Sequence, residues 1–193
     1  VPYNPPYSFT GGIPIDATSD DFWSSAIDIF DFCFYGQKYN KILINSNGAI
    51  TFSIAGLVPG GQYTQGTPVG WNLQGVGAIP TAASGGVTNL SIFGVLQDTN
   101  PNPLAGNPPD QSINYGVFGT APNRVLVFNI YKTVHFQCRA PLTYTSQMVL
   151  YETTNIIDVY VKDRPTPSCG WNGRLAIIGL QKDATTGIAA PGR

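Results

Sequence analysis

The chain has 193 residues, of which 42% are hydrophobic and 11% charged, and its formal net charge is −1. A near-neutral chain lacks the basic surface that binds nucleic acid, and no run of 18 apolar residues is present to cross a membrane. The 12% aromatic content supports a folded core, which argues against disorder. Lys and Glu are scarce whereas Thr, Asn and Gly are plentiful, and this favours strands and turns over helices. The length predicts one domain, 1–193.

Alternating apolar residues predict strands in the first half. Phe30, Phe32 and Phe34 share one face of the first long strand. Asn47-Gly48 separates two apolar runs and predicts a hairpin, because both residues accept a positive φ. The segment 42–97 carries no charged residue, and its Gly-rich part, 55–77, is typical of a long loop. The strands predicted in this half cover 26–35, 39–45, 49–54 and 89–97.

In the second half of the sequence, the residue pattern predicts a nearly continuous series of strands. Thr153-Thr154-Asn155 fits a three-residue hairpin loop in which Asn takes the left-handed conformation. The predicted strands cover 112–118, 124–131, 145–152, 156–162 and 174–181.

Together the two halves predict an all-β fold. About ten short strands separated by turns indicate an antiparallel, jelly-roll-like β-sandwich with long Gly/Pro-rich loops and under about a tenth helix. The predicted core comprises Phe30, Phe32, Phe34, Ile42, Ile44, Ile50, Phe52, Ile92, Val95, Val125, Val127, Val149, Ile157, Val159, Ile177 and Leu180.

Catalytic motifs are absent from the sequence. His135 is the single His, and no G-x-S-x-G elbow accompanies it, so a His at the end of a strand with a satisfied hydrogen bond is favoured over a nucleophilic site. Glu152 and Asp158 are the pair of carboxylates that a glycosidase could use, but an exposed pair on a hairpin is the simpler interpretation. The sequence therefore predicts that the protein is not an enzyme.

Two loops are candidate ligand sites. Asp98, Asn100 and Asn102 alternate in a Pro-rich loop, and Asp110 could close an oxygen cage for calcium. A run of Asx turns explains the same residues without a metal. Tyr63 and Trp71 could stack on sugar rings, or they could anchor the long loop to the sandwich.

Several segments in chain order carry a resemblance to a known family. They are Pro5–Asp16, Asp20–Ser24, Phe30–Tyr39, Asn45–Phe52, Asp98 with Ile113–Tyr115, Gly119–Arg124, Ser146–Tyr160, Cys169–Arg174, Gly179–Gln181 and Pro191–Arg193. In this order the sequence resembles the N-terminal β-domain of SprB-type gliding adhesins, the large surface proteins of gliding Bacteroidetes. The hairpins at 45–52 and 146–160 are also similar to those of the nidogen-type extracellular domain.

The resemblance implies export by the type IX secretion system and display at the cell surface. The chain would then be an adhesion module, and a fragment of a much larger secreted protein. Its partners would be other domains of the same adhesin, the secretion or gliding machinery, or surface polysaccharide, with no nucleic acid and no membrane insertion. A carbohydrate-binding module, or a subunit of a surface fibre or secretion complex, is the alternative.

The resemblance also bears on the three Cys residues. Related domains commonly have Cys where this chain has Asn123, so Cys33 would lack its family partner. This implies a Cys138–Cys169 disulfide, with Cys33 free, buried and slow to alkylate. Pairing of Cys33 with Cys138 or with Cys169 is the alternative.

Overall fold

Two antiparallel sheets pack face to face, as predicted for a β-sandwich. The computed structural model describes residues 5–15, 20–69, 73, 78–83, 87–164 and 175–191. Its strands are β1 (Ile13–Pro14), β2 (Ile27–Phe34), β3 (Gln37–Ile44), β4 (Ala49–Thr51), β5 (Ser91–Leu96), β6 (Thr99–Asn100), β7 (Ser112–Phe118), β8 (Val125–His135), β9 (Thr143–Tyr151), β10 (Ile157–Asp163), β11 (Ile177–Asp183) and β12 (Thr186–Ala189).

The strand order defines the two sheets. The first sheet runs β1-β7-β8-β9-β10, with β6 paired to one end of β8, and the second runs β12-β11-β5-β4-β3-β2. Within the described ranges the helical content is one 3₁₀ turn, Pro103–Ala105. No helix in the described part of the chain is long and apolar enough to cross a membrane.

The core between the sheets follows the alternation of the strands. Phe30, Phe32 and Phe34 point inwards from β2, and the Phe32 ring stacks on Phe52 at 6.0 Å between centroids. Twelve of the sixteen predicted core residues are buried, from Phe30 through Val149. Val125, Val127 and Val149, however, form a separate cluster that packs against Tyr7 and Tyr151.

Part of the outer face of each sheet is covered by the chain itself. A row of amides crosses the first sheet, with Gln147 Nε2 donating to Asn129 Oδ1 and Asn129 Nδ2 donating to Asn114 Oδ1. The ends of this row hold the N-terminal segment, because Gln147 Nε2 also donates to the Tyr7 carbonyl and Asn114 Nδ2 to the Phe9 carbonyl. A buried amide row satisfies its own polar groups while it fixes the covering segment in place.

The loop between β4 and β5, which belongs to the uncharged segment 42–97, covers part of the second sheet. Its apolar side chains Val69, Leu73, Ile79 and Val87 are buried with Trp23 against that sheet. Burial within this chain therefore accounts for the lack of charge at these four positions.

The two sheets are offset at one edge. The middle strand β5 contacts both β9 and β10, and the second sheet continues past it through β11 and β12. Within the described residues, the first sheet ends at β10. Four predicted core residues lie near this edge and are only partly buried, which corrects the prediction: Ile157, Val159, Ile177 and Leu180.

The structure adds two short strands to those predicted and confirms two predicted turns. The short strands β6 and β12 were not predicted, because neither has enough alternating residues to be recognised alone. The predicted hairpin loop is confirmed, since Asn155 adopts a φ of 53°. The Asn47-Gly48 turn is also confirmed: a Cβ on Gly48 would lie 2.4 Å from the Val95 carbonyl oxygen, so glycine is required there.

Candidate functional sites

An apolar groove lies at the offset edge of the sandwich. Its wall is formed by Ile157, Val159 and Val161 of β10, and β11 and β12 contribute Ile178, Leu180 and Ile188. The groove has a volume of about 480 Å³. It exists because β11 and β12 extend beyond β10, so that no strand in the described part of the chain lies above their inward-facing side chains.

The backbone edge of β10 borders this groove. Within the described ranges β10 pairs with β9 on one side and with no strand on the other. Ile188 is 62% exposed and Ile156, just before β10, is 52% exposed. An apolar groove beside a free strand edge is a surface suited to protein contact.

A cluster of three carboxylates lies at the end of the second sheet. One oxygen from each of Asp20, Asp21 and Asp98 lies within 4.8 Å of the others. Asn47 Nδ2 donates to Asp21 Oδ1 at 2.7 Å, and this bond holds the cluster against the β3–β4 turn. Burial, followed by the negative charge of Asp21, raises the pKa of Asp20 to about 7.

The four residues predicted as calcium ligands are engaged in separate interactions. Asp98 belongs to the carboxylate cluster. Asn100 Oδ1 accepts from the Asn102 N–H, and Asn102 Oδ1 accepts from the Leu104 N–H, as Asx turns do. Asp110 forms an ion pair with Lys132, which lowers the pKa of its carboxyl group.

Calcium binding is tested by thermal melting. If Asp98 contributes to a calcium site, a chelator is expected to lower the melting temperature, because a ligand of the native state stabilises that state. Asp98→Asn should abolish the response, whereas Asp110→Asn, which removes only the Lys132 ion pair, should retain it. An identical melting temperature with chelator and with excess calcium would contradict the prediction.

His135 is buried at the same end of the sandwich. Its side chain is 6% exposed, and its ring lies 6.3 Å from that of Tyr144. Burial and the nearby Arg164 guanidinium lower the pKa of His135 to about 4. His135 ends β8, as predicted, but the predicted satisfied hydrogen bond is not found at Nε2, which is buried with no hydrogen-bond partner in the described part of the chain.

Glu152 and Asp158 are both bonded within the chain. Arg124 donates to Glu152 through Nε at 2.8 Å and Nη2 at 2.6 Å, and its backbone N–H donates to the same carboxylate. These bonds lower the pKa of Glu152 to about 2, so it carries no proton to donate at neutral pH. The Tyr160 hydroxyl donates to Asp158 Oδ2 at 2.8 Å.

Tyr63 is half-buried on the long loop. Its ring lies 5.5 Å from that of the fully buried Trp23, between centroids. This contact favours the anchoring role over a sugar platform at Tyr63. Trp71 lies outside the described residues, so the paired platform stays a prediction.

The cysteines are only partly described. Cys33 is free, but it is exposed, and the expectation that it is buried was wrong. It alternates with Phe32 and Phe34 and therefore points away from the core. Cys138 is buried, at 5% exposure, and Cys169 lies outside the described residues, so their bond stays a prediction.

A thiol map tests the predicted pairing. In the unreduced protein, alkylation is expected to label Cys33 rapidly in the native state, since its side chain is exposed. Denaturation without reductant should add no further label. Peptide mapping that finds Cys138 labelled, or three thiols in total, would show that the pairing is wrong.

Neither the groove nor the carboxylate cluster was predicted from the sequence. The cluster joins Asp20-Asp21 to Asp98 across 77 positions, so it requires the strand pairing to be known. The groove requires the offset of the two sheets.

Comparison with known proteins identifies one family. A family model described as NIDO related matches residues 2–191. Comparison with the curated proteins and with the solved structures gives no match.

Proposed function

Because this chain belongs to the NIDO-related family, an extracellular type of module, we propose that it is a non-catalytic adhesion module of a secreted cell-surface adhesin. The resemblance of its motifs to gliding adhesins supports export by a type IX secretion system in a gliding bacterium. Other domains of the same adhesin, or proteins of the secretion and gliding machinery, are the proposed partners.

The apolar groove is the observation that carries this proposal. Parts of the outer faces of both sheets are covered by the chain itself, through the N-terminal segment and through the loop that holds Val69 and Leu73. The edge at β10 instead presents an open apolar groove. A module that packs against other polypeptides needs such a surface.

The state of the polar residues supports a non-catalytic role. His135 is buried and neutral, and Arg124 binds the Glu152 carboxylate in a bidentate arrangement. A glycosidase acid needs a raised pKa, whereas that of Glu152 is lowered. Hydrolysis at this hairpin would require Arg124 to release the carboxylate.

The proposal is tested in cells that produce the parent protein. An antibody against this domain is expected to label intact cells, and deletion of residues 5–191 is expected to reduce attachment to a surface while display of the rest of the protein persists. Labelling that requires cell lysis, or unchanged attachment with unchanged display, would contradict the proposal. Type IX export is tested separately, by loss of the label in a strain that lacks that system.

A further inference from the structure

Aromatic side chains surround the valine cluster on the outer face of the first sheet. Cross-strand pairing places Phe118 of β7, Val125 of β8 and Tyr151 of β9 in one row across this face. Val125, Val127 and Val149 are buried beneath the rings. Three tyrosines pack against the valines, and a phenylalanine stacks on the first of them. We call these four residues the aromatic patch: Tyr7, Tyr151, Tyr160 and Phe118.

The Phe118 ring folds back over its own strand. A Cβ on Gly116, two positions earlier on the same face of β7, would lie 2.7 Å from Phe118 Cζ, so a glycine is required beneath the ring. The ring is nearly parallel to that of Tyr7, at 11° and 5.8 Å between centroids, which is an offset stack. Phe118 is nevertheless 46% exposed. The packing of the chain thus fixes two nearly parallel rings that present apolar surface to solvent.

Hydroxyl groups and one carboxylate border these rings. The Tyr160 hydroxyl donates to Asp158 Oδ2 at 2.8 Å. Burial, and to a lesser degree Asp158 and Tyr7, raise the pKa of Tyr151, which places its hydroxyl close to both groups. A carboxylate offers about four acceptor positions. Asp158 can therefore accept hydrogen bonds from a ligand in addition to the one from Tyr160.

A second ring pair on the same face is arranged differently. Phe9 and Tyr131 are also nearly parallel, at 18° and 5.7 Å between centroids. The Lys162 ammonium lies 5.5 Å from the centre of the Phe9 ring, and the Lys132 ammonium lies 5.0 Å from that of Tyr131. These two rings therefore already have cationic partners. Among the described residues no cation lies over a ring of the aromatic patch.

We propose that the aromatic patch binds a polysaccharide of neutral hexoses. The inference rests on the proposed adhesive function and adds a contact surface that is separate from the groove. The C–H groups on one face of a sugar ring pack against the negatively polarised face of an aromatic ring. Hydroxyl groups at the edge of the same sugar donate charge-assisted hydrogen bonds to a carboxylate. Tyr7 and Phe118 supply the stacking surface, and Asp158 supplies the polar contact.

The geometry favours a neutral sugar over two other ligand classes. A quaternary ammonium group is bound by rings that enclose it as a cage, whereas the Tyr7 and Phe118 rings are parallel to within 11°. An acidic polysaccharide would bring its carboxylates towards Asp158, and like charges repel. A neutral sugar needs neither a cage nor a cation.

The aromatic patch and the groove lie on opposite faces of β10. Ile157, Val159 and Val161 line the groove. Asp158 and Tyr160 alternate with them and face outwards, and Tyr160 packs against the outer valine cluster. Binding at the patch can therefore be separated from contacts in the groove by substitution.

Affinity electrophoresis tests the proposal. The protein is run through native gels that contain dextran, mannan or galactan, which are neutral polysaccharides of glucose, mannose and galactose. A further gel contains alginate, an acidic polysaccharide. Retardation by at least one of the three neutral polysaccharides is expected, with none by alginate.

Matched variants locate the binding. Phe118→Ala removes a ring that is 46% exposed and should weaken binding at least about threefold. Leu57→Ala truncates a 53% exposed side chain outside both the patch and the groove and should leave retardation unchanged. The melting temperature of each variant confirms that it is folded.

A second pair of variants tests the polar contact without removing a ring. Asp158→Asn keeps the size of the side chain but removes its charge, and it should weaken binding roughly tenfold. Asp31→Asn makes the same change on the second sheet, at a 63% exposed carboxylate, and should have no effect.

Four outcomes would overturn the proposal. They are no retardation by any of the neutral polysaccharides, stronger retardation by alginate, wild-type retardation of both Phe118→Ala and Asp158→Asn, and loss of retardation in Ile188→Arg, which would assign the polysaccharide to the groove. If no polysaccharide binds but deletion of the domain still reduces cell attachment, the adhesion role stands and the patch assignment alone fails. If a polysaccharide binds but deletion leaves attachment unchanged, the adhesion role fails and the patch assignment stands.

Discussion

Replacement of Phe32 by Ala is expected to lower the free energy of unfolding by about 3–5 kcal/mol. The Phe32 side chain is fully buried, stacks on Phe52 and lies 6.5 Å from the Phe30 ring, between centroids. The substitution removes the apolar burial of the ring and leaves a cavity that a two-sheet core cannot close fully. Urea unfolding, monitored by tyrosine and tryptophan fluorescence, measures the loss.

A matched substitution separates this effect from a general loss of apolar surface. Leu104 is 90% exposed, so Leu104→Ala should change the free energy of unfolding by less than about 0.5 kcal/mol. A loss below about 1 kcal/mol for Phe32→Ala would place Phe32 outside the core and contradict the packing of β2 against the opposite sheet.

Acidification is expected to destabilise the protein through His135. Its folded-state pKa is about 4, against an ordinary value of 6.5, so the unfolded chain binds a proton more readily between these two pH values. The contribution of the neutral imidazole is complete above pH 6.5 and is lost as the pH falls towards 4. At 1.36 kcal/mol per pH unit, the loss reaches roughly 2 kcal/mol by pH 5.

Other charged and titratable groups lie near His135, so its contribution to the pH dependence of stability has to be separated from theirs. Arg164, after β10, opposes protonation, while Asp98 precedes β6, the strand that pairs with His135, and Tyr144 lies on β9. Asp20 has a raised pKa, so its contribution has the opposite sign: its stabilisation is present at low pH and lost as the pH rises towards 7.

The difference between the wild type and His135→Gln, measured at each pH, isolates the histidine. The variant should lose less stability than the wild type between pH 7 and 5. Parallel pH profiles would show that His135 takes up its proton in the folded state, contrary to its buried position.

The fold was largely predictable because it depends on local alternation. The Phe30, Phe32 and Phe34 face and the Asn47-Gly48 turn are each encoded within a few residues. The alternation of apolar residues predicted which side chains are buried, but not whether they are buried between the sheets or on the outer face of one sheet. Val127 is buried, as predicted, yet it lies under the N-terminal segment and not between the sheets. Which loop covers which face is a tertiary property.

The candidate sites were less predictable because they join distant segments. Asp98 was recognised as a potential ligand, but sequence proximity suggested Asn100 and Asp110 as its neighbours, whereas strand pairing brings it to Asp20 and Asp21. Likewise, Ile157 and Val159 have the pattern of core residues. They border a groove because β11 and β12 extend the second sheet beyond β10, which is the last strand of the first sheet within the described residues.

The most direct test of the account places one groove substitution in the parent protein on living cells. Ile188→Arg and its control Leu57→Arg are compared for surface display, by antibody labelling of intact cells, and for attachment to a surface. The account predicts equal display of both variants, with attachment reduced by Ile188→Arg alone. Equal attachment of both variants at equal display would contradict the claim that this edge of the sandwich makes the functional contact.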